Sequence, residues 1–330
     1  MSTALHASLA APLVAALVTA AVVVGMLKAG RAVPLDVPNE RSLHARPMPR
    51  VGGVALMSGM LAAAAWLGAF PPWLLIAIAL AVASFLDDAR GLPALLRLAI
   101  HLAAAVAMVA LLPISLAWPL AAALALATAW MTNLYNFMDG SDGLAGGMAL
   151  IGFGAYGWAA WAGGEYALAL LLFSLVAAAL AFLVFNFPPA RIFMGDAGSI
   201  PLGFAAAAVG VLGWRVYALW PSWFPALVFS PFAVDATVTL LKRAARREPV
   251  WRAHRDHYYQ RLVRMGWSHR RTALAEYALM LACAAAALAL RESEERVQRL
   301  ALAGVAAAYV ALMLLVDRAW RARRAEAPRA

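Results

Sequence analysis

The chain has 330 residues, of which 65% are apolar, and its mean hydropathy is +0.77. A soluble domain is about half apolar, so this excess indicates a protein that lipid covers. Basic residues outnumber acidic ones by 27 to 17, a net charge of +10, but the apolar stretches leave no soluble domain to bind nucleic acid. Anionic headgroups and a polyanionic substrate are the expected counter-charges. The single cysteine, Cys283, excludes a disulfide framework and a cysteine metal cluster.

Apolar stretches separated by polar residues predict an all-α polytopic membrane protein with about 11 transmembrane helices, forming one domain over residues 1–330. A bilayer core about 30 Å thick takes about 20 helical residues to cross. The first stretch lacks the basic start and the cleavage site of a signal peptide, so we interpret it as a retained span. The predicted helices cover 8–29, 51–69, 73–86, 95–112, 116–131, 146–162, 166–185, 199–214, 222–241, 272–290 and 298–316.

The distribution of arginine and lysine gives the expected orientation. With eleven spans, alternate connections fall on opposite sides, and one set of connections holds most of the basic residues. The positive-inside rule puts that set in the cytoplasm, which leaves the N-terminus periplasmic and the C-terminus cytoplasmic. Most aspartates fall in the same set, so we expect any chemistry on the cytoplasmic side. The cytoplasmic connections are 30–50, 87–94, 132–145, 186–198 and 242–271, with the tail 317–330.

The first cytoplasmic connection reads DVPNERSLHARPMPRVGG over Asp36–Gly53. Its prolines and its Gly-Gly pair predict a loop. Arg41, His44 and Arg50 are candidates for binding phosphate or lipid headgroups. The alternative is a basic loop that only sets the membrane orientation.

The second connection carries two adjacent aspartates, Asp87 and Asp88, in FLDDARGL. Two like charges repel at a membrane interface, and a divalent cation or a shared proton would relieve that repulsion. One aspartate could serve to end the helix, but a second gains little there, because the C-terminus of a helix disfavours anions.

The third connection, NLYNFMDGSDGLAGG at Asn133–Gly147, combines amides, carboxylates and glycines between two apolar runs. Asn136, Asp139 and Asp142 are its candidate ligands, because glycine lets a backbone approach a ligand closely and ionisable groups near membrane depth tend to be functional. A polar turn between two helices is the alternative.

The last two connections add one acid and a pair of histidines. Asp196, in FMGDAGS, precedes a predicted helix and is either a helix cap or a functional acid. His254 and His257 lie three residues apart in HRDHYYQRL, without the further ligands of a zinc site. We expect them to bind diphosphate oxygens, and a basic face on the membrane surface is the alternative.

In combination, these stretches resemble the successive cytoplasmic motifs of the bacterial polyprenyl-phosphate N-acetylhexosamine-1-phosphate transferases, which are glycosyltransferase 4-like enzymes. The resemblance runs from about residue 36 to residue 262. It implies an inner-membrane enzyme that transfers a sugar 1-phosphate from a UDP-sugar to undecaprenyl phosphate, releases UMP and requires Mg²⁺, with Mn²⁺ as a substitute. The stretches are DVPNERSLHARPMPRVGG, FLDDARGL, NLYNFMDGSDGLAGG, FNFPPARIFMGDAGSIPLG and HRDHYYQRL.

The resemblance also implies roles for single residues. Asp87 and Asp88 match the family's aspartate pair, one member of which binds or deprotonates the lipid phosphate. Asp196 matches the aspartate that ligates magnesium, so the expected metal ligands are Asp196 and Asp87 or Asp88. Mg²⁺ takes only one or two carboxylates directly, so the other aspartates would hold or orient substrate.

The remaining matches concern the nucleotide-sugar. Asn136, Asp139 and Asp142 match the N-x-x-D-x-x-D run that the family associates with it. His254 and His257 match two positions of the family's histidine motif.

The sequence departs from the family pattern in two places. Asp256 stands where relatives have a middle histidine, and the consecutive triple histidine of the muramyl-pentapeptide branch is absent. Arg90 would replace the basic residue that the family places after its aspartate pair. The HRDHYYQRL form is closer to the branch that initiates O-antigen or other surface polysaccharide on GlcNAc or a 6-deoxy-HexNAc.

Other functions remain open from the sequence. The muramyl-pentapeptide branch is the alternative within the family, and a transporter or flippase of an anionic lipid or nucleotide-sugar is the alternative from another class. Transporters show repeated halves and midplane polar residues, whereas these acids gather at one face. A CDP-alcohol phosphotransferase lacks support beyond the letters DGLAGG. The expected partners are the UDP-HexNAc-type sugar, undecaprenyl phosphate, membrane lipids and, as a candidate, a second copy of the chain.

Overall fold

The computed structural model describes residues 8–30, 33–38, 47–250 and 254–326, with residues 89, 90 and 326 described by their backbone alone. The described residues form thirteen helices and two short strands. The strands are β1 (Leu35–Asp36) and β2 (Met48–Pro49). The helices are α1 (Ala11–Ala29), α2 (Gly52–Leu67), α3 (Pro72–Arg90), α4 (Ala94–Ala110), α5 (Trp118–Met138), α6 (Leu144–Ala162), α7 (Tyr166–Asn186), α8 (Asp196–Arg215), α9 (Trp223–Val228), α10 (Ser230–Ala245), α11 (Tyr258–Arg264), α12 (His269–Leu290) and α13 (Glu295–Glu326).

Each of the eleven predicted segments falls on helix, with bounds that differ by a few residues. The segment 222–241 is divided between α9 and α10. Pro231 has no N–H to donate to the carbonyl of Leu227, which accepts the hydroxyl of Ser230 instead at 2.7 Å. The hydropathy pattern did not predict α11 or the two-stranded sheet, which both lie in connections.

Among the described residues, five helices are long and apolar enough to cross a membrane, namely α1, α7, α8, α12 and α13. The apolar helices α2 and α4 are shorter. The predicted class, a mostly helical multi-pass membrane protein, is therefore confirmed.

Helix α8 lies at the centre of the fold, since 89% of its most apolar window is buried, whereas none of that of α13 is. Glycines let neighbouring helices approach α8 closely. A Cβ on Gly203 would lie 2.7 Å from the carbonyl oxygen of Met131 in α5, and one on Gly53 would lie 2.1 Å from the nitrogen of Gly198. The starts of α2 and α8 therefore meet backbone to backbone.

The segment leading into α2 is held against the segment leading into α8. The antiparallel sheet pairs Leu35 with Pro49 and Asp36 with Met48. Beyond the sheet, the N–H of Phe193 donates to the carbonyl of Pro49 at 2.8 Å, and the N–H of Gly52 donates back to Phe193 at 2.9 Å. This pairing fixes the backbone on either side of residue 50 beside residues 193–195.

Candidate active site

An ion pair between Arg50 and Asp196 forms the centre of the site. The Arg50 guanidinium donates a hydrogen bond to the carboxylate of Asp196, and its Nη1 lies 3.6 Å from Oδ1 of Asp88. Asp196 is the first residue of α8 and is buried. Gly195 has a φ of +72°, and a Cβ there would lie 2.7 Å from the carbonyl oxygen of Arg50. Glycine at this position therefore permits the contact.

Asp139 joins the same cluster from the end of α5. Its carboxyl group accepts a hydrogen bond from the backbone N–H of Gly195 and lies within electrostatic reach of Arg50 and Asp196. Burial, reinforced by the negative charge of Asp196, raises the pKa of Asp139 to about 8, although Arg50 acts in the opposite direction. Without a further cation, burial therefore favours the protonated form of this carboxyl group.

The two adjacent aspartates of α3 point to different partners, because neighbouring residues on a helix are about 100° apart. Oδ1 of Asp87 accepts the N–H of Leu92 at 2.5 Å, and Oδ2 lies 3.5 Å from Nη1 of Arg97. Asp88 faces Arg50 instead. Asp88 follows the apolar segment 73–86 in the chain. Burial of its carboxyl group raises its pKa to about 6.

These contacts bear on the expected metal ligands. The carboxylate that shares Arg50 with Asp196 belongs to Asp88, while Asp87 holds the turn between α3 and α4. Ligation of a metal by Asp87 together with Asp196 stays a prediction, since Asp87 contacts Leu92 and Arg97 whereas Asp196 contacts Arg50. Sequence reasoning missed Arg97 and expected Arg90 as the basic neighbour; the side chain of Arg90 lies outside the described residues.

The three matches in the third connection have three different partners. Oδ1 of Asn136 accepts the hydroxyl of Ser199, in the first turn of α8, at 2.8 Å. Asp139 meets the central ion pair, as described above. Oδ2 of Asp142 accepts the N–H of Ala190 at 3.0 Å, which fixes the turn that follows α7. These residues shape one loop, but only Asp139 is placed next to Arg50.

A buried asparagine that sequence reasoning missed ties the same loops together. Oδ1 of Asn186 accepts the N–H of Gly143 at 3.0 Å, and its Nδ2 donates to the carbonyl of Ile192 at 2.9 Å. The hydroxyl of Tyr277, from α12, donates to the carbonyl of Gly143 at 2.6 Å. The signal available in the sequence was a polar amide at the end of an otherwise apolar helix.

His257 is held by a buried carboxylate, Asp235 of α10. Nδ1 of His257 lies 3.3 Å from Oδ1 of Asp235. The same carboxylate accepts the backbone N–H groups of Tyr258 at 2.9 Å and Tyr259 at 3.1 Å, and the hydroxyl of Thr239 at 3.1 Å. Asp235 therefore caps the start of α11 and orients the histidine. Sequence reasoning did not include Asp235 in the site.

The histidine loop reaches the third connection through Tyr259. Its hydroxyl donates to the carbonyl of Phe137 at 3.4 Å, and a Cβ on Gly140 would lie 2.3 Å from that hydroxyl oxygen. Tyr259 also stacks on His257, with ring centroids 6.0 Å apart. The two predicted nucleotide-sugar motifs are thus neighbours in the fold.

The ring of His254 packs against that of His257 at a tilt of 35°, with ring centroids 4.8 Å apart. The backbone N–H of Asp256 donates to Nδ1 of His254 at 3.3 Å, which requires that nitrogen to be unprotonated. Burial, followed by the positive charges of His257 and Arg243, lowers the pKa of His254 to about 4. The ring is therefore neutral near pH 7 and can donate a hydrogen bond through Nε2.

Asp256, the departure from the histidine motif, binds the buried Arg243 rather than pointing at a ligand. Burial raises the pKa of its carboxyl group, but the hydrogen bond and the charge of Arg243 outweigh this effect and lower it. Arg41 and His44 lie outside the described residues, so their expected roles stay predictions.

The donor set fits magnesium better than a softer metal. Within the described residues, no three His, Cys, Asp or Glu side chains are grouped closely enough to form a metal cage. Mg²⁺ usually takes one or two carboxylates and completes its octahedron with waters and substrate phosphates. Asp196 and Asp88, with Asp139 nearby, offer only oxygen, and their combined charge exceeds that of Arg50. That excess of negative charge suits a divalent cation.

The fold and the site define a helical membrane protein whose acids gather at the ends of several helices. The sequence model of glycosyl transferase family 4 matches residues 70–213 of the chain. This confirms the family resemblance, although most of the histidine loop lies beyond the matched range.

Named relatives fall in the same family. The chain is 29% identical over 278 residues to the "Probable undecaprenyl-phosphate N-acetylglucosaminyl 1-phosphate transferase" of Bacillus subtilis (strain 168), covering 78% of each chain. It is 41% identical over 150 residues to the "Phospho-N-acetylmuramoyl-pentapeptide-transferase" of Geobacillus kaustophilus (strain HTA426), covering 46% of this chain and 45% of the relative. The second match therefore spans less than half of either protein.

Proposed function

We propose that the chain transfers a HexNAc-type sugar 1-phosphate from a UDP-sugar to undecaprenyl phosphate, giving undecaprenyl-diphospho-sugar and UMP. The observation that carries the proposal is the position of Arg50 between Asp196 and Asp88, with Asp139 beside them. A cation among oxygen ligands, at a point where several loops meet, suits the handling of phosphate groups. The names of the relatives support the acceptor and the donor class.

The bond changes are those of a direct displacement. An oxygen of the undecaprenyl phosphate attacks the β-phosphorus of the UDP-sugar, and the bond from that phosphorus to the bridging oxygen breaks, so that UMP leaves. The acceptor phosphate is already anionic at neutral pH, so attack needs little help from a base. We therefore favour displacement over an aspartyl-phosphate intermediate.

Each group of residues has a distinct part. Arg50 binds phosphate oxygens and keeps its position through Asp196 and Asp88. Asp196 and Asp88 would hold Mg²⁺, which would offset negative charge on the diphosphate. Asp139 and the neighbouring loop line the nucleotide-sugar side. His254 and His257 donate hydrogen bonds toward the diphosphate from a loop that Asp235 holds in place.

The finer topology also belongs to the proposal. Eleven spans, a periplasmic N-terminus and a cytoplasmic C-terminus place these loops at the cytoplasmic face of the bacterial inner membrane. The HRDHYYQRL form supports the branch that begins O-antigen or a related surface polysaccharide. A homodimer is the candidate oligomeric state.

The muramyl-pentapeptide reaction is the second candidate, because relatives with that name reach 41% identity over 150 residues. Against it stands the longer match to the N-acetylglucosaminyl relative and the single histidines in place of a consecutive run.

Release of UMP by the purified protein tests both candidates. The assay combines undecaprenyl phosphate and Mg²⁺ with UDP-GlcNAc, UDP-FucNAc, UDP-QuiNAc or UDP-MurNAc-pentapeptide, and omits the lipid in a control. We expect lipid-dependent release with a UDP-HexNAc. Release only with the pentapeptide donor would move the chain to the second branch. Release without lipid, or none with any donor, would contradict the proposed transfer.

A further inference from the structure

The cytoplasm-facing end that we propose for α12 and α13 carries a group of arginines that the transfer reaction does not use. Arg264 belongs to α11, and Arg321, Arg323 and Arg324 lie in the last turns of α13; all four side chains are exposed. We call these four residues, together with Trp320, the arginine surface. Its guanidinium groups make none of the contacts described for the site around Arg50.

Two contacts bring the arginine surface together. The guanidinium of Arg264 lies over the ring of Trp320, 4.8 Å from its centroid. A Cβ on Gly266 would lie 3.6 Å from Nη2 of Arg323. The end of α13 therefore packs beside the turn between α11 and α12. The short connection 291–294 at the other end of both helices agrees with this antiparallel arrangement.

The length of α13 puts this surface at the level of lipid headgroups. Its 32 residues extend about 48 Å at 1.5 Å per residue, compared with about 30 Å for the hydrocarbon core of a bilayer. Arg296 and Arg299 lie in its first turns, and the apolar stretch that follows ends before Asp317. The last turns therefore project beyond the core, where tryptophan and arginine side chains are favoured.

The acids nearby are already bound by other cations. Asp317 accepts hydrogen bonds from Nζ of Lys242 at 2.5 Å and Nη1 of Arg261 at 2.7 Å, and Asp256 pairs with Arg243 and lies 3.9 Å from Nη1 of Arg264. Partial burial and the like charges of Arg255 and Arg324 lower the pKa of Arg264, although Asp256 acts in the opposite direction. Cations crowded in this way gain from an anion supplied by another molecule.

We propose that the arginine surface binds the headgroups of anionic phospholipids. Polybasic residues next to a membrane-crossing helix gain about 1 kcal/mol each from an anionic leaflet. Trp320 lies at the same level, which favours a bilayer over a soluble polyanion such as nucleic acid. The inference does not depend on the proposed reaction, because it concerns lipid binding alone.

Retained lipid measures this binding directly. The full-length protein in detergent is mixed with equal amounts of phosphatidylglycerol and phosphatidylcholine, repurified, and its bound lipids are quantified by mass spectrometry. We expect the wild type to retain phosphatidylglycerol preferentially. The double variant Arg321→Gln and Arg324→Gln should lower the ratio of phosphatidylglycerol to phosphatidylcholine about thirtyfold, and 0.5 M NaCl should lower it in the wild type.

The chain offers a matched control at the other end of the same helix. Arg296→Gln with Arg299→Gln removes two charges at the same spacing and should leave the ratio unchanged. Replacing Arg321 and Arg324 by lysine keeps the charge and should keep the ratio within about twofold. Equal retention by the glutamine variant and the wild type, an equal loss in the control pair, or loss in the lysine variant would overturn the proposal. The proposal would also be overturned if the wild type retained nucleic acid instead of phosphatidylglycerol, and if replacing Arg321 and Arg324 by glutamine removed that nucleic acid.

Discussion

Arg50 and Asp196 form an ion pair although 146 residues separate them in the chain. Backbone hydrogen bonds between the segments before α2 and α8 set the pair in place, and Gly195 leaves room for it. Asp88 shares the same guanidinium. An arginine held by two carboxylates is poised to exchange one of them for a phosphate, and this relationship makes Arg50 the first residue to test.

Replacing Arg50 by glutamine should reduce UMP release about 100-fold, a loss typical of removing one electrostatic donor from a site. Arg50→Lys should recover only part of the rate, because an ammonium group lacks the planar fork that reaches two carboxylates. Steady-state assays with undecaprenyl phosphate and the preferred UDP-sugar measure both. Arg215→Gln, at the opposite end of α8, is the matched control and should retain activity. Full activity of the Arg50→Gln variant would show that Arg50 has no part in the reaction.

The two adjacent aspartates should separate into a structural and a functional residue. Asp87→Asn weakens the bonds to Leu92 and Arg97, so we expect about 1–2 kcal/mol less stability and a modest loss of activity. Asp88→Asn leaves that turn intact and should lower UMP release at least tenfold with little change in the melting temperature. Thermal unfolding and activity of both variants, compared side by side, make the test. The opposite pattern would assign the functional role to Asp87.

Hydropathy and charge predicted much of this fold, because each apolar run is long enough to form a helix by itself. The different partners of Asp87 and Asp88 could not be foreseen, since they depend on where α3 stops and which way its last turn faces. The link from Asp235 to His257 was equally hidden. It joins an acid within an apolar helix to a loop 22 residues later, and only the packing of α10 against α11 brings them together.

Replacing Asp196 by asparagine should abolish UMP release without unfolding the protein, because the amide oxygen can still accept a hydrogen bond from Arg50. Binding of Mg²⁺ supplies a second measurement that does not require turnover. Mg²⁺ should raise the melting temperature of the wild type but not that of the variant. Glu295→Gln, an exposed change at the start of α13, should behave as the wild type does. Full turnover in Asp196→Asn would exclude Asp196 as the metal ligand.

Asp139 should make stability depend on pH when magnesium is absent. Its pKa is raised from an ordinary value of 3.8 to about 8, so the folded protein holds a proton that the unfolded chain releases. The contribution of Asp139 to the free energy of unfolding is therefore greatest at low pH and is lost as the pH rises through 8. Melting temperatures of the wild type in EDTA should fall between pH 6 and pH 8.5, relative to those of Asp139→Asn, which has no proton to lose. Parallel curves for the two proteins would contradict the raised pKa.

Asp235 should act on the reaction through His257, which it positions. Asp235→Ala leaves the N–H groups of Tyr258 and Tyr259 without their buried acceptor, at a cost of about 1–3 kcal/mol each. We expect this variant to lose both stability and activity. Asp235→Asn keeps only one acceptor oxygen, so it can bond just one of these two N–H groups, and it removes the negative charge that lies beside His257.

The asparagine variant therefore separates a positioning role from a purely structural one. It should have a melting temperature between those of the wild type and Asp235→Ala, while its pH–rate profile differs from that of the wild type because the charge beside His257 is gone. Thr239→Val, which deletes one of the bonds to Asp235 without touching its charge, is the control and should leave the profile in place. If Asp235→Asn keeps the wild-type profile and Asp235→Ala fails only through unfolding, Asp235 caps α11 and does nothing further for His257.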